Sequence, residues 1–273
     1  MINLGVMQGR LLPKYNGRYQ AHPLNYWQKE FSIAKDLKLD CIEFILDHND
    51  LDKSPLIYKD GYKEIIFQIE NSKVKVLTIC ADYFMQFPLH SEDKFVAEKS
   101  FSILKKLIKI AYLIGAKDIV IPCVDNSSFK NNKLKKEKFI KQVNRLLDDL
   151  DENNINLSLE TDLGPQEFYD LIKNIDNKNV TINYDIGNSA SLGFDCVEEL
   201  NLYGDKITDI HIKDRLLGGE SVILGNGNAN FEIFFKKLSE INYKGPLIMQ
   251  AFRDDEGVSI FKTQLEWIKK YLP

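Results

Sequence analysis

Short apolar runs alternate along the chain with longer segments in which apolar residues recur at helical spacing. Runs of about five apolar residues are typical of buried strands, and a period near 3.6 is typical of amphipathic helices. The apolar runs predict eight strands at residues 2–7, 41–46, 74–80, 117–122, 155–160, 180–184, 206–211 and 246–250. The periodic segments predict helices at residues 26–37, 61–70, 92–114, 134–153, 166–175, 196–203, 231–241 and 258–271.

Eight strand and helix pairs in 273 residues predict a single (β/α)8 barrel, an α/β fold, that occupies residues 1–273 as one domain. An open doubly wound sheet has the same alternation. The turn after the first strand, which begins at residue 8, contains no G-x-G-x-x-G motif, so we favour the closed barrel. The following loop, up to residue 24, is long enough to cover a site at one end of the barrel.

Composition narrows the function classes. Hydrophobic residues make up 44% of the chain and charged residues 28%, as in soluble globular proteins. A formal net charge of −4 offers no broad attraction to nucleic acid or to an anionic membrane. The first five residues lack the pattern of a signal peptide, and no run approaches transmembrane length, so we expect a cytoplasmic protein. The four cysteines show no CxxC spacing, which favours reduced thiols over a disulfide framework or zinc knot.

Three potential metal ligands each end one of the predicted strands. Glu160, Asp185 and His211 are separated by 25 and 26 residues, about the length of one strand, loop and helix. Because the carboxyl ends of parallel strands lie on one face of the sheet, these side chains should converge. Each residue alone also fits a helix cap or a buried histidine. Their shared position favours a site for a divalent cation.

Several motifs around these positions resemble those of the xylose isomerase-like TIM barrels. The motifs are Met7-Gln8-Gly9-Arg10-Leu11, Cys41-Ile42-Glu43, Leu159-Glu160, Tyr184-Asp185-Ile186-Gly187-Asn188, His211-Ile212-Lys213-Asp214 and Leu224-Gly225-Asn226-Gly227. The chain is most similar to the sugar phosphate isomerase/epimerase branch, which includes ketose 3-epimerases. The resemblance implies one divalent ion held by Glu, Asp, His and Glu on strands five to eight, with both glutamates acting as acid/base groups. We expect Mn²⁺, with Mg²⁺, Co²⁺ and Zn²⁺ as alternatives.

The fourth position of this pattern is Gln250, a departure from the family. The candidate metal ligands are therefore Glu160, Asp185, His211 and Gln250, and the candidate catalytic residues are Glu160 and Gln250. A glutamine can coordinate a metal through its carbonyl oxygen, but it cannot exchange a proton at neutral pH. We therefore expect Glu160 to be the carboxylate base and Gln250 to position the reacting groups.

Residues near the same rim are candidates for substrate binding. These candidates are Glu43, Asn188, Lys213, Arg215 and Arg253. The three cations follow strands seven and eight and could clamp a phosphate or carboxylate, although solvated rim charge is an equal alternative. Further possible contacts are His22, Asp82 and Tyr83. The backbone NH groups of residues 225–227 could bind an anion or merely turn the chain.

The function predicted from these residues is a metal-dependent isomerase or epimerase of a small sugar or sugar phosphate. Proton transfer next to a carbonyl would pass through a metal-stabilised enediolate. A dehydratase or lyase and a noncatalytic sugar-binding barrel are the alternatives that Gln250 leaves open. An endonuclease IV-type phosphodiesterase needs several histidines, yet Asn188 occupies the position of the histidine in that family's Asp-x-x-His pattern. The resemblance also implies a homodimer or homotetramer.

Overall fold

Eight parallel strands close into a barrel in the computed structural model, which describes residues 2–272. Residues 2–272 contain ten strands in all, which are β1 (Leu4–Met7), β2 (Cys41–Ile45), β3 (Lys75–Cys80), β4 (Asp118–Cys123), β5 (Asn156–Thr161), β6 (Val180–Asp185), β7 (Ile207–Ile212), β8 (Asp214–Arg215), β9 (Ser221–Val222) and β10 (Leu247–Met249). The barrel closes because β1 pairs with β2 on one side and with β10 on the other. The short strands β8 and β9 form a separate antiparallel hairpin. The predicted (β/α)8 barrel is confirmed.

Helices connect the strands and pack around the barrel. They are α1 (Gln28–Asp36), α2 (Tyr62–Ser72), α3 (Tyr83–Gln86), α4 (Lys94–Ile114), α5 (Lys133–Asn144), α6 (Leu147–Asn153), α7 (Pro165–Ile175), α8 (Ile186–Leu192), α9 (Cys196–Tyr203), α10 (Phe231–Glu240) and α11 (Val258–Ile268). The helix predicted at residues 134–153 is two helices. Leu146, with φ −108° and ψ −4°, separates them, and both Leu146 and Leu150 are fully buried. Burying these two side chains favours the bend over a continuous helix.

Two hydrophobic clusters stabilise the barrel. The larger cluster lies between the strands and the surrounding helices and includes residues from most elements. The smaller cluster consists of Met7, Cys41, Ile45, Cys80, Val120 and Ile248, all on barrel strands. The four cysteines are free thiols. Across residues 2–272, every helix is too short or too polar to cross a membrane.

The chain turns directly from β6 into α8, which the apolar pattern did not predict. Asp185 ends the strand and caps the helix, because its Oδ1 accepts a hydrogen bond from the backbone NH of Asn188 at 2.8 Å. A carboxylate at the N-terminus of a helix is favoured by the unpaired NH groups there. The tight turn brings Asn188 over the carboxyl ends of the strands, where the candidate ligands lie.

Candidate functional site

Glu160, Asp185 and His211 converge at the carboxyl ends of β5, β6 and β7. Their potential ligand atoms lie within 4.8 Å of one another, and all three residues are buried. Nδ1 of His211 is 3.6 Å from Oε2 of Glu160 and 3.9 Å from Oδ2 of Asp185. Two carboxylates and one imidazole form a donor set that suits a divalent cation. These residues therefore fit the metal centre that the family resemblance implies.

The electrostatics of this cluster also favour a bound cation. Burial and the nearby charge of Asp185 together raise the pKa of Glu160 to about 7, against the opposing effects of His211 and Lys213. Burial lowers the pKa of His211, but the carboxylates of Glu43, Glu160 and Asp209 outweigh it and raise the pKa to about 10. The raised pKa of Glu160 reflects its burial as well as its closeness to the carboxylate of Asp185, and a bound divalent ion would offset both effects.

Glu43 lies behind His211 and away from the mouth of the barrel. Its Oε2 is 2.9 Å from Nε2 of His211, and both side chains are completely buried. We predicted Glu43 as a substrate contact, but the structure places its carboxylate against the imidazole of His211, whose Nδ1 lies toward Glu160 and Asp185. Carboxylates commonly hold metal-binding histidines in this way. Asp209 belongs to the same buried group, but neither it nor Glu43 lines the cavity above the site.

Asn183 is a site residue that the apolar pattern did not single out. Its Nδ2 donates to Oε2 of Glu160 at 3.0 Å and lies 3.2 Å from Nδ1 of His211. Asn188 donates to the other oxygen of Glu160 at 2.6 Å, so amides hold both carboxylate oxygens. Alternate residues of a strand point to the same face, and Asn183 precedes Asp185 by two positions. That alternation is the signal that could have identified it.

Gln250 follows β10 and reaches the same rim. Its Oε1 accepts a hydrogen bond from Nζ of Lys213 at 3.0 Å, and the same ammonium is 3.3 Å from Oδ2 of Asp185. The side chain of Lys213 therefore connects Gln250 to Asp185, one of the three candidate ligands.

A cavity of about 370 Å³ opens above the cluster, within the size range of small-molecule sites. Its lining includes Gln20, Asp82, Glu160, Lys213, Arg215 and Gln250. Nη1 of Arg215 donates to Oδ1 of Asn188 at 2.7 Å, which links the hairpin to the amide that holds Glu160. The cavity thus presents both carboxylates and cations to a ligand.

The structure does not bring Arg253 to this cavity. Its guanidinium donates to the backbone oxygens of Gly9 and Leu12, each at 2.7 Å, and the side chain is buried. Arg253 therefore fastens the loop that follows β1, because its donors are directed at that loop. Of the three predicted cations, only Lys213 and Arg215 line the cavity.

Of the other residues predicted to contact the substrate, one lines the cavity and the rest are buried or already hydrogen-bonded. His22 is buried, with Nδ1 2.9 Å from Oε1 of Gln8. Tyr83 is buried and stacks on Phe87. The backbone NH groups of residues 225 and 227 donate to Oδ2 of Asp214 at 2.9 and 2.8 Å, so an anion would have to displace this carboxylate. Asp82 does line the cavity.

Comparison with known proteins gives the family. A sequence model described as "Xylose isomerase-like TIM barrel" matches residues 31–271, so the chain belongs to that family. An L-ribulose-5-phosphate 3-epimerase from Salmonella heidelberg is 24% identical over 258 residues, which cover 89% of each chain. The resemblance inferred from the motifs is therefore confirmed.

Solved structures share the fold. A D-allulose 3-epimerase from a Methylomonas species, in complex with D-allulose, superimposes with a TM-score of 0.75 at 17% identity, covering 99% of this chain and 97% of that one. The IOLI protein, with a bound zinc atom, gives a TM-score of 0.78 at 15% identity, covering 99% of both chains. At these identities the likeness establishes the barrel fold.

Proposed function

We propose that this protein is a metal-dependent ketose 3-epimerase whose substrate is a small phosphorylated ketose of the L-ribulose 5-phosphate type. The observation that carries the proposal is the position of Glu160, Asp185 and His211, clustered beneath a cavity that also presents Lys213 and Arg215. A metal-binding cluster of this kind suits chemistry at a carbonyl, and the adjacent cations suit an anionic group.

The broader class, an enzyme that isomerises or epimerises sugars, is confirmed by the relatives. The Salmonella heidelberg protein is named for epimerisation at carbon 3 of a ribulose phosphate, and the Methylomonas protein for epimerisation of D-allulose. The choice of a phosphorylated ketose is our own and rests on Lys213 and Arg215. The mixture of oxygen and nitrogen donors suits Mn²⁺, Mg²⁺, Co²⁺ or Zn²⁺, and of these we propose Mn²⁺.

Glu160 is the proposed base. It lines the cavity, and its two oxygens are held by Asn183 and Asn188, so its position is defined before substrate binds. As a carboxylate, it would remove the proton from the carbon beside the carbonyl. Glu160, Asp185 and His211, with Gln250 beside them, would hold a divalent ion, and its positive charge would stabilise the resulting enediolate.

Return of the proton decides the product. If Glu160 returns it to the same face at the neighbouring carbon, the reaction is an aldose/ketose isomerisation. Epimerisation needs a second proton carrier, and the amide of Gln250 cannot be that group. Asp82 lines the same cavity, and burial raises its pKa above the ordinary value of an aspartate, the direction that a general acid needs. Asp82 is therefore our candidate for the acid.

Product analysis by NMR tests the proposal. Metal-free protein would be loaded with Mn²⁺ and incubated with L-ribulose 5-phosphate, other ketose and aldose phosphates, and their unphosphorylated forms. We expect conversion of L-ribulose 5-phosphate to its C3 epimer. An aldose product would instead indicate an isomerase, loss of water a dehydratase, and binding without turnover a sugar-binding protein. Any of these three outcomes in place of the epimer would contradict the proposal.

The anionic-substrate proposal makes a separate prediction for Arg215. We expect Arg215→Met to raise the KM for the phosphorylated ketose by about tenfold or more, because hydrogen bonds to charged groups contribute about 1.5–3 kcal/mol. The KM for the neutral analogue should change far less. Arg215→Lys is the control, since lysine keeps the positive charge but cannot form the paired hydrogen bonds of a guanidinium group. Its KM for the phosphorylated ketose should lie between those of the parent and Arg215→Met. Equal effects of Arg215→Met on both substrates would exclude this residue as a phosphate clamp.

A further inference from the structure

Gln250 lies between two partners that require different atoms of its amide. Nζ of Lys213 donates to Oε1 at 3.0 Å, and an ammonium group can only donate, so an oxygen must face it. On the other side, Nε2 of Gln250 donates to Oε1 of Gln20 at 3.3 Å. The side chain at position 250 therefore accepts on one side and donates on the other.

The orientation of the Gln20 amide is set by its own neighbours. Nη2 of Arg10 donates to Oε1 of Gln20 at 2.9 Å, and a guanidinium group has no acceptor, so the atom facing it must be the oxygen. The nitrogen of Gln20 donates to Oδ2 of Asp82 at 2.7 Å. Gln20 consequently presents an acceptor to position 250 and cannot flip its amide without facing Arg10 with a second donor.

Arg10 is itself held in place. Its side chain is 1% exposed, its Nη1 donates to the backbone oxygen of Tyr19 at 3.0 Å, and its guanidinium lies 4.9 Å from the centre of the Tyr19 ring. The backbone around it is anchored because the NH groups of Gly9 and Leu11 donate to the buried carboxylate of Glu30 at 2.7 and 3.0 Å. The donor of Arg10 cannot easily turn away from Gln20.

We propose that Arg10 and Gln20 are positioning residues that make position 250 require an amide. A carboxylate there would satisfy Lys213 but would place a second acceptor against Oε1 of Gln20, where no proton is available. The role of Gln250 in the reaction rests on the proposed function, whereas the hydrogen-bond network does not. The glutamine is thus matched to the loop that covers the site, and substitution by glutamate alone does not restore the family pattern.

A double-mutant cycle tests this network without any assay of catalysis. Gln250→Glu would be made in the parent and in Gln20→Ala, and urea unfolding would be measured on the metal-free proteins. The comparison cancels every effect of the new charge that does not involve Gln20. We expect Gln250→Glu to raise the equilibrium constant for unfolding by about tenfold more in the parent than in Gln20→Ala, because an unmatched buried acceptor destabilises the folded state by about that much.

One further background and one control substitution make the test specific. Gln20→Met keeps the length of the side chain but removes its acceptor. It should therefore reduce the destabilisation caused by Gln250→Glu, as Gln20→Ala does. Gln166→Glu is the matched control, since Gln166 is an exposed glutamine on α7 whose Nε2 donates to Asp170 at 3.0 Å. Its effect should be the same with and without Gln20→Ala.

The outcomes separate the network from the proposed function. If Gln250→Glu folds only when Gln20 is replaced, the inference is supported, as it is by the expected coupling. Coupling below about twofold, or failure to fold in all backgrounds, would overturn it. A protein that shows the coupling but converts no sugar would refute the proposed function and leave the network intact.

Discussion

Asp185→Ala and His211→Ala should each weaken Mn²⁺ binding by about a hundredfold or more. Removing a ligand should weaken metal binding more than changing a residue that only orients a ligand, which typically costs about 10- to 100-fold in affinity. The expectation follows from the placement of both side chains beside Glu160, with ligand atoms within 4.8 Å of one another. Calorimetric titration after removal of bound metal by a chelator measures the affinity directly.

The controls for this prediction separate metal binding from folding. Asp185 also caps α8, so Asp185→Ala should destabilise the fold by about 1 kcal/mol. Asp185→Asn can keep the cap while removing the charge, and it should still bind Mn²⁺ poorly. Asp195→Ala removes a comparable cap, from α9, by a side chain that does not line the cavity above the ligand group, and it should leave affinity unchanged. Parent-like affinity in both Asp185→Ala and His211→Ala would refute the metal centre.

Glu160→Gln should greatly slow exchange of the substrate hydrogen next to the carbonyl. In deuterated water, the parent should exchange this hydrogen with solvent, whereas the variant should be slower by about 10²–10⁴-fold, the usual contribution of a general base. The amide would keep nearly the same shape but could not accept the proton. NMR of the recovered substrate measures the exchange.

Glu43→Gln is the control for the loss of a buried carboxylate near the same site. Because Glu43 touches His211 and does not line the cavity, its substitution should weaken Mn²⁺ binding by about 10- to 100-fold. Exchange should then recover at saturating Mn²⁺, unlike in Glu160→Gln. Rapid exchange in Glu160→Gln would show that another group is the base.

The barrel and the meeting of the three ligands could be predicted from sequence, because both depend on local periodicity. Alternating strand and helix signals imply parallel strands, and parallel strands place their carboxyl ends on one rim. Glu160, Asp185 and His211 each end such a run, so their convergence follows from the topology. The break between α5 and α6 could not be predicted in this way, since it depends on how Leu146 and Leu150 reach the core.

Which partner each polar side chain takes was decided only by the tertiary structure. Glu43 and Arg253 have the residue types expected at a substrate site, yet Glu43 lies against His211 and Arg253 binds backbone oxygens of a loop more than 240 residues earlier in the chain. Gln20 meets Gln250 across a similar separation. Such contacts depend on strand register and on the path of a long loop, and neither leaves a periodic signal in the sequence. The sequence therefore determined the fold and the rim, and the packing of loops against that rim decided which side chains face the cavity.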